Sequence, residues 1–337
     1  MGILLVDNNE CKVGGHNYLY QQALNSIKGT VIYEDRVEFR EFRDNIIGAI
    51  KDRCNYLKKV SKKDDDVHLL HFDKFYKAPI AIKKLKNKGR KIYGTIHWYP
   101  GRKIDRYLLK KSAQYLDVII VHSQYIKTKL NEFGIPNVEV IDYPAFIDDS
   151  CNKILSKKVK NNNIVISCLG GTRADKGLDV LMEAFKDLNS KAKERIIFNV
   201  AGAEGDIKYG DLKNQAQLYG VKVETTERLL SDEEYWENIN KSKVILLPYK
   251  KIFRGNSGPM TDGVYANKYI LGPDGGNLGF LINKYNLGTT FVQEDPKSLA
   301  DELNSLCNKN LDKNHSYKKC LEVDTFISRY KDIYRKY

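Results

Sequence analysis

The stretch that most constrains the fold is residues 164–177, IVISCLGGTRADKG, with the run LDVLMEAFKDL that follows it. Ile164, Val165 and Ile166 open a short apolar run that reads as a buried strand. The run breaks at Gly170-Gly171, where a backbone can turn sharply and approach a ligand closely. Leu178, Leu181, Phe185 and Leu188 then recur at helical spacing. With Arg173 and Lys176 at the mouth, this strand, glycine turn and helix fit two readings. One is a phosphate cradle, built from unpaired helix-start N–H groups and two cations; the other is an ordinary βα turn with solvated cations. Two phosphate motifs are excluded. Asp175 and Gly177 flank Lys176, which rules out a Walker loop, and the glycine pair lacks the G-x-G-x-x-G spacing.

The same alternation begins at the N-terminus. MGILLVD reads as a strand, and Gly14-Gly15 precede a helix carrying Tyr18, Leu19, Ala23 and Leu24, again either an anion site or a plain turn. A long helix over 42–60 places Ile46, Ile47, Ile50, Cys54 and Leu57 on one face. The strand over 92–96 ends at His97-Trp98-Tyr99-Pro100; His97 there is either a site residue or a hydrogen-bonded structural histidine. Asp64-x-Asp66 lies ahead of a strand rather than at its carboxyl end, and reads as solvated loop rather than a metal site. Residues 151–163, CNKILSKKVKNNN, are polar and aperiodic and read as a linker. Strand–helix alternation restarts at Ile164, so residues 1–150 and the chain after 163 form two consecutive doubly wound α/β units. Ligands are expected in the cleft between them, at the strand carboxyl ends.

A chain of 337 residues with 42% apolar content has room for two sizeable cores. Its apolar runs are too short to span a bilayer, and no secretory signal is visible. Six cysteines without a C-x-x-C pair argue for reduced thiols in the cytoplasm and against zinc. The balance of 56 basic against 43 acidic residues gives +13, without any nucleic-acid signature. A phosphate-bearing ligand and an anionic membrane surface are the expected partners. The membrane expectation rests on Lys83, Lys84, Lys86, Lys88, Arg90 and Lys91, with Arg102, Arg106 and Lys110 nearby; a solvated lysine-rich face is the alternative.

Residues 244–288 hold a second informative block. A strand ends at Pro248-Tyr249, and a small-residue loop carries Asn256-Ser257-Gly258. Pro259 suits the first position of a helix, with Asp262 one turn inside it. This is a second helix start preceded by a nest suited to phosphate oxygens.

With both blocks read, the chain resembles a retaining GT-B glycosyltransferase of the family-4 or group 1 class. The resemblance rests on GGTRADKGLDVLMEAF, AGAEGD, RLLSDEEYWENINKSKVILLPY, NSGPMTDGVYANKYILGPDGGNLGFLI and NLGTTFVQEDPKSLADEL. It is looser through VGGHNYLYQQAL, VHLLHF, GTIHWYP and VIIVHSQYIKTKL, and the tail TFISRYKDIYRKY is similar to the family's terminal helix. The resemblance implies two Rossmann-like domains facing a central cleft: an acceptor-side domain over 1–150, a linker over 151–163, and a nucleotide-sugar domain over 164–318. Residues 319–337 would form a helix crossing back to the first domain. It implies transfer from a nucleotide-diphosphate sugar to a glycan or lipid-linked acceptor, without cofactor or metal, in polysaccharide or glycoconjugate synthesis. His97, Arg173 and Lys176 would be catalytic, with Gly14, Gly15, Ser257 and Gly258 helping the two cations hold the diphosphate. Asp262 stands where the family's second glutamate binds ribose. Arg254 stands where the first glutamate is expected, and would face the donor sugar with Asn256. That departure leaves two other readings open, a sugar-nucleotide epimerase and a non-catalytic sugar-nucleotide-binding protein.

Overall fold

The structure is a computed structural model that describes the chain except for residues 1, 9–14, 36, 43, 87–88 and 160–161. It divides into two compact units, residues 1–143 with 323–337, and residues 144–322.

The first unit is built on a parallel sheet of order β2-β1-β3-β4-β5-β6. Its strands are β1 (Ile3–Val6), β2 (Thr30–Ile32), β3 (Asp66–Leu69), β4 (Ile92–Ile96), β5 (Val118–Val121) and β6 (Val138–Val140). β4 and β5 are buried along their whole length, as continuous apolar strands covered on both faces must be. Asp66, from the D-x-D, accepts the Lys91 backbone N–H at 2.7 Å.

The helix Ile46–Val60 starts later than its apolar pattern suggests, because Asn45 caps it by accepting the Gly48 N–H at 2.7 Å. Its buried face is Ala49, Arg53, Tyr56, Leu57 and Val60, not the isoleucine face. Ile46 and Ile47 are 63% and 82% exposed. Arg53 takes the inward place because its fork is satisfied there. It donates to the carbonyls of Lys74 (2.7 Å) and Ala49 (2.9 Å) and lies over the Phe39 and Phe42 rings.

The terminal helix Val323–Lys336 packs on this sheet through Phe326, Tyr330 and Ile333. A buried polar chain fixes it. Tyr334 and Thr95 flank His68 at 2.6 and 2.9 Å, Thr95 meets Tyr330 at 3.2 Å, and Tyr330 meets Tyr20 at 2.5 Å.

The second unit repeats the plan with order β12-β11-β10-β7-β8-β9. The strands are β7 (Ile164–Leu169), β8 (Ile196–Ala201), β9 (Lys222–Thr226), β10 (Val244–Leu246), β11 (Tyr269–Pro273) and β12 (Gly288–Phe291). Leu178, Leu181, Phe185 and Leu188 are all buried against it, as their spacing predicts. The stretch read as linker is partly helical: Asp148 caps the helix Asp149–Ser156 by accepting the Cys151 N–H at 2.8 Å, and Cys151 and Ile154 are buried. That helix belongs to the second unit, as does the 3-10 segment Ser316–Leu321, so the unit boundaries fall at 143/144 and 322/323 rather than at 150, 163 and 318. Among the described residues no helix is long and apolar enough to cross a membrane.

Candidate functional site

In the second unit the carboxyl ends of β7 and β10 bring two loops together. The chain leaves β7 through Gly170, at φ +104°, and reaches Gly177, at φ +67°, where the helix Leu178–Ala184 begins. The loop is tied down on both sides. Thr172 donates to the Ile207 carbonyl at 2.6 Å and accepts from Gly205 N–H at 2.8 Å, while Lys250 N–H donates to the Asp175 carbonyl at 3.0 Å.

Lys176 lies in this frame. Its ammonium donates to the Tyr249 hydroxyl at 2.6 Å and sits 3.9 Å from the Tyr249 ring centroid and 5.0 Å from that of Phe253. The Tyr249 hydroxyl also shares a hydrogen bond with Ser257 Oγ at 3.1 Å, in which either oxygen can donate. Ser257 caps the helix Gly258–Tyr265 by accepting the Met260 N–H at 3.3 Å. Gly258 is the first helical residue and Pro259 the second, one place later than the sequence pattern suggests. Sequence, turn and helix thus assemble a cation, two linked hydroxyls and a helix N-terminus around one point. A pocket lined by Gly170, Gly171, Thr172, Lys176 and Tyr249 opens there.

Arg173 is half exposed and forked onto Asp175, with bonds of 2.9 and 2.8 Å. This pairing raises the Arg173 pKa further and, with Lys176, holds Asp175 below its usual range against the opposing effect of burial. Asn256 accepts from Asn277 at 2.8 Å, and its buried side-chain nitrogen has no hydrogen-bond partner among the described residues. Arg254 is half-exposed, and no hydrogen bond or ion pair among the described residues holds its guanidinium. Asp262 is only 1% exposed and accepts the Tyr235 hydroxyl at 2.7 Å. Lys176, Ser257, Gly258 and Asn256 are therefore brought together, with Asp262 recessed behind a tyrosine.

The other predicted residues lie in the first unit. Gly15 caps the helix His16–Asn25 with extended backbone, and Gly14 is outside the described residues. His97 follows β4 and donates from Nε2 to the Leu70 carbonyl at 3.0 Å. Its ring stacks on His71 at 4.3 Å and lies 4.9 Å from His122. Burial, then those two imidazoles, hold its pKa well below the usual histidine value, so it is neutral at pH 7. Asp7 and His71 complete this cluster, 3.2 Å apart at the carboxyl ends of β1 and β3. Beside it a cavity of about 760 Å³ is lined by Asn8, Phe39, Phe42, Asp73 and Lys77.

Of the basic residues singled out for a membrane surface, Arg90 is buried at 2% exposure, its guanidinium held by the Lys63 carbonyl at 2.5 Å. Lys86 pairs with Asp117 at 2.6 Å, Arg102 with Asp105 at 2.7 Å, and Lys88 is outside the described residues. Among the described residues no group of three or more His, Cys, Asp or Glu is placed to hold a metal ion.

Sequence reading missed Tyr249, Phe253, Tyr235, Asp7 and His71. Only Tyr249 carried a signal, as the residue at which the sequence pattern ended a strand; in the structure β10 stops earlier, at Leu246.

The fold is shared with solved structures of low sequence identity. The HepE protein of Anabaena, in complex with UDP, matches with a TM-score of 0.72 at 12% identity over 100% of both chains. Sucrose-phosphate synthase from Thermosynechococcus elongatus matches with a TM-score of 0.70 at 12% identity, over 99% of this chain and 98% of that one. An α,α-trehalose-phosphate synthase (UDP-forming) from Burkholderia xenovorans, in complex with glucose-6-phosphate, gives 0.70 at 11% identity, over 98% and 99%. No curated protein sequence matches the chain. The profile of the family described as "Glycosyl transferases group 1" matches residues 152–320, half of the chain, across the unit that carries the Lys176 site. With its two parallel six-stranded sheets of GT-B type, the chain belongs to the group 1 glycosyltransferases.

Proposed function

We propose that the protein transfers a sugar from a nucleotide-diphosphate donor to a glycan or lipid-linked acceptor, with retention and without a metal. The observation that carries this reading is the Lys176–Tyr249–Ser257 chain ending at the start of the helix Gly258–Tyr265. It concentrates positive charge and directed donors where a diphosphate would leave. The unpartnered Asn256 nitrogen adds a donor beside it, facing the sugar side with Arg254. Arg173 and Lys176 would supply the charge that a divalent ion supplies elsewhere, so chelator should leave activity intact. Retention rests on the family resemblance. UDP is the first nucleotide to test, since HepE was seen with UDP.

On the acceptor side, neutral His97 would lie near the reacting sugar as a hydrogen-bonding group. The cavity lined by Phe39, Phe42, Asp73 and Lys77 offers aromatic faces and both signs of charge, a mixture suited to a polyhydroxylated ligand. Polysaccharide or glycoconjugate synthesis is the setting such a reaction serves, on the cytoplasmic side of a membrane. Three neighbouring helices, Ile46–Val60, Pro79–Lys86 and Lys103–Ala113, support attachment there. They expose Ile47, Ile80 and Ile104 together with Lys83, Lys84 and Lys110.

The testing experiment is thermal shift with a panel of nucleoside diphosphates. A ligand at 100-fold its Kd should stabilise the protein by about 2.7 kcal/mol. No shift with any of them would overturn the reading.

A further inference from the structure

We infer that the acceptor is an anionic sugar, its carboxylate or phosphate bound by Arg53 in the cavity of the first unit and a ring hydroxyl bound by Asp73. The inference rests on the glycosyl-transfer reading above and adds the chemical class of the acceptor. Both residues line the cavity of about 760 Å³, together with Lys77, Phe39 and Phe42. Arg53 is only 5% exposed. Carbonyls satisfy its Nε and Nη1: Lys74 at 2.7 Å, Ala49 at 2.9 Å and Arg40 at 3.3 Å. Among the described residues nothing accepts from its Nη2, and no carboxylate forms an ion pair with the guanidinium. A buried charge is ordinarily paired, and this one lacks its partner.

The acids nearby do not fill that place. Asp52 is forked by Arg40, with bonds of 2.9 and 2.6 Å. Glu38 and Glu41 line the same cavity but are exposed, where water and salt screen them. Burial lowers the Arg53 pKa, and Glu41 and Asp52 oppose that only in part. Lys77 adds a second cation. Its ammonium lies 4.5 Å from the Phe42 ring centroid, and Arg53 Cζ lies 4.2 Å from the same centroid. Asp105, 3.5 Å from Lys77, is already forked by Arg102 at 2.7 and 3.3 Å. An anion entering beside Phe42 therefore meets two cations whose charge the chain leaves largely uncompensated. Asp73 offers the complementary group. Its Oδ1 is buried without a hydrogen-bond partner among the described residues and can accept from a hydroxyl. Burial raises the Asp73 pKa, opposed by His71 and by the backbone N–H groups of Asp73 and His97, so the cavity reaches the histidine cluster through this side chain. A neutral sugar would leave Arg53 unpaired, and a bare anion would leave Asp73 unpaired. An anionic sugar satisfies both.

Isothermal titration of the full chain tests this at fixed ionic strength, with whichever of uridine, guanosine and adenosine diphosphate binds held saturating. The probes are glucuronic and galacturonic acids, glucose 1-phosphate and glucose 6-phosphate, with glucose and inorganic phosphate as controls. At least one anionic sugar should bind about tenfold more tightly than either control, and which one it is separates a carboxylate from a phosphate. Arg53→Gln should bring that sugar to within about twofold of glucose while leaving glucose affinity unchanged, which a merely structural role would not do. Asp73→Ala should bring it to within about twofold of inorganic phosphate. Lys77→Gln should weaken it about threefold or more, and decides the matter if Arg53→Gln does not fold. A wild type that binds no anionic sugar, or binds glucose or inorganic phosphate as tightly, overturns the inference, as does a preference that survives both Arg53→Gln and Lys77→Gln. In each of those cases diphosphate binding leaves the transfer reading standing. Absence of binding by any diphosphate overturns both readings.

Discussion

Gly177 holds φ +67°, and a Cβ there would meet the Pro248 carbonyl oxygen. The residue is needed for the close approach of the β7 loop to the end of β10 that brings Lys176 under Tyr249. Gly177→Ala should cost about 1–3 kcal/mol from the left-handed backbone alone, with the clash adding to it. At about 2–4 °C per kcal/mol for a unit of this size, the melting temperature should fall by several degrees, and an unchanged melt would contradict the account. The cations beside it act differently. Lys176→Ala and Arg173→Ala should leave the fold intact, since neither side chain belongs to the apolar core, and cost about 2–4 kcal/mol in transition-state stabilisation. The loss should appear in kcat, because the diphosphate charge develops as the sugar leaves. Arg173 is forked onto Asp175, so its smaller loss relative to Lys176 would measure how much of its charge Asp175 absorbs. Steady-state rates of both variants check this.

The strands were the most legible elements. β4 fills the strand read over 92–96, and β7 fills the run from Ile164 up to the Gly170 break, since a strand covered on both faces leaves a largely apolar signature. Legibility failed where a polar group was buried against carbonyls. Arg53 took the inward face of the helix Ile46–Val60 and turned Ile46 and Ile47 outward, and one Arg90 nitrogen donates to the Lys63 carbonyl from a buried side chain. Of the site, the glycine turn, Lys176 and the Ser257 cap could be read from local pattern. The aromatic partners could not, because Tyr249 is 73 residues from Lys176 and Tyr235 is 27 from Asp262. The same holds for the network that ties the terminal helix to the first sheet. Burial pushes His68 down to about 3 and His122 down to about 4. Their folded pKa values lie below the unfolded value of about 6.5, so the unfolded chain binds more protons in acid. The stability they protect is present above pH 6.5 and is lost as pH falls toward 4 and then 3. Between pH 7 and pH 5 the loss should be about 2 kcal/mol per histidine. Denaturant unfolding across that range should show it, with a shallower slope in His68→Gln; equal stability at both pH values would contradict the network's neutral state.

At the scale of the whole molecule, the proposed membrane attachment would use the net charge of +13 and the exposed isoleucines of the first unit. Co-sedimentation with anionic vesicles should exceed that with neutral ones and fall at high salt, at about 1 kcal/mol per cation near the leaflet. Replacing Ile47 and Ile80 by serine should weaken recovery while leaving the fold intact, because both side chains are already in water. Equal recovery from both vesicle types would remove the membrane from the account. Turnover tests the central claim most directly: release of free nucleoside diphosphate from a panel of nucleotide sugars, with chelator present, by wild type and by Lys176→Ala. The account predicts release by the wild type from at least one donor, unaffected by chelator, and a loss of about 30-fold or more in the variant. Wild-type release that Lys176→Ala matches, or that chelator abolishes, would contradict it.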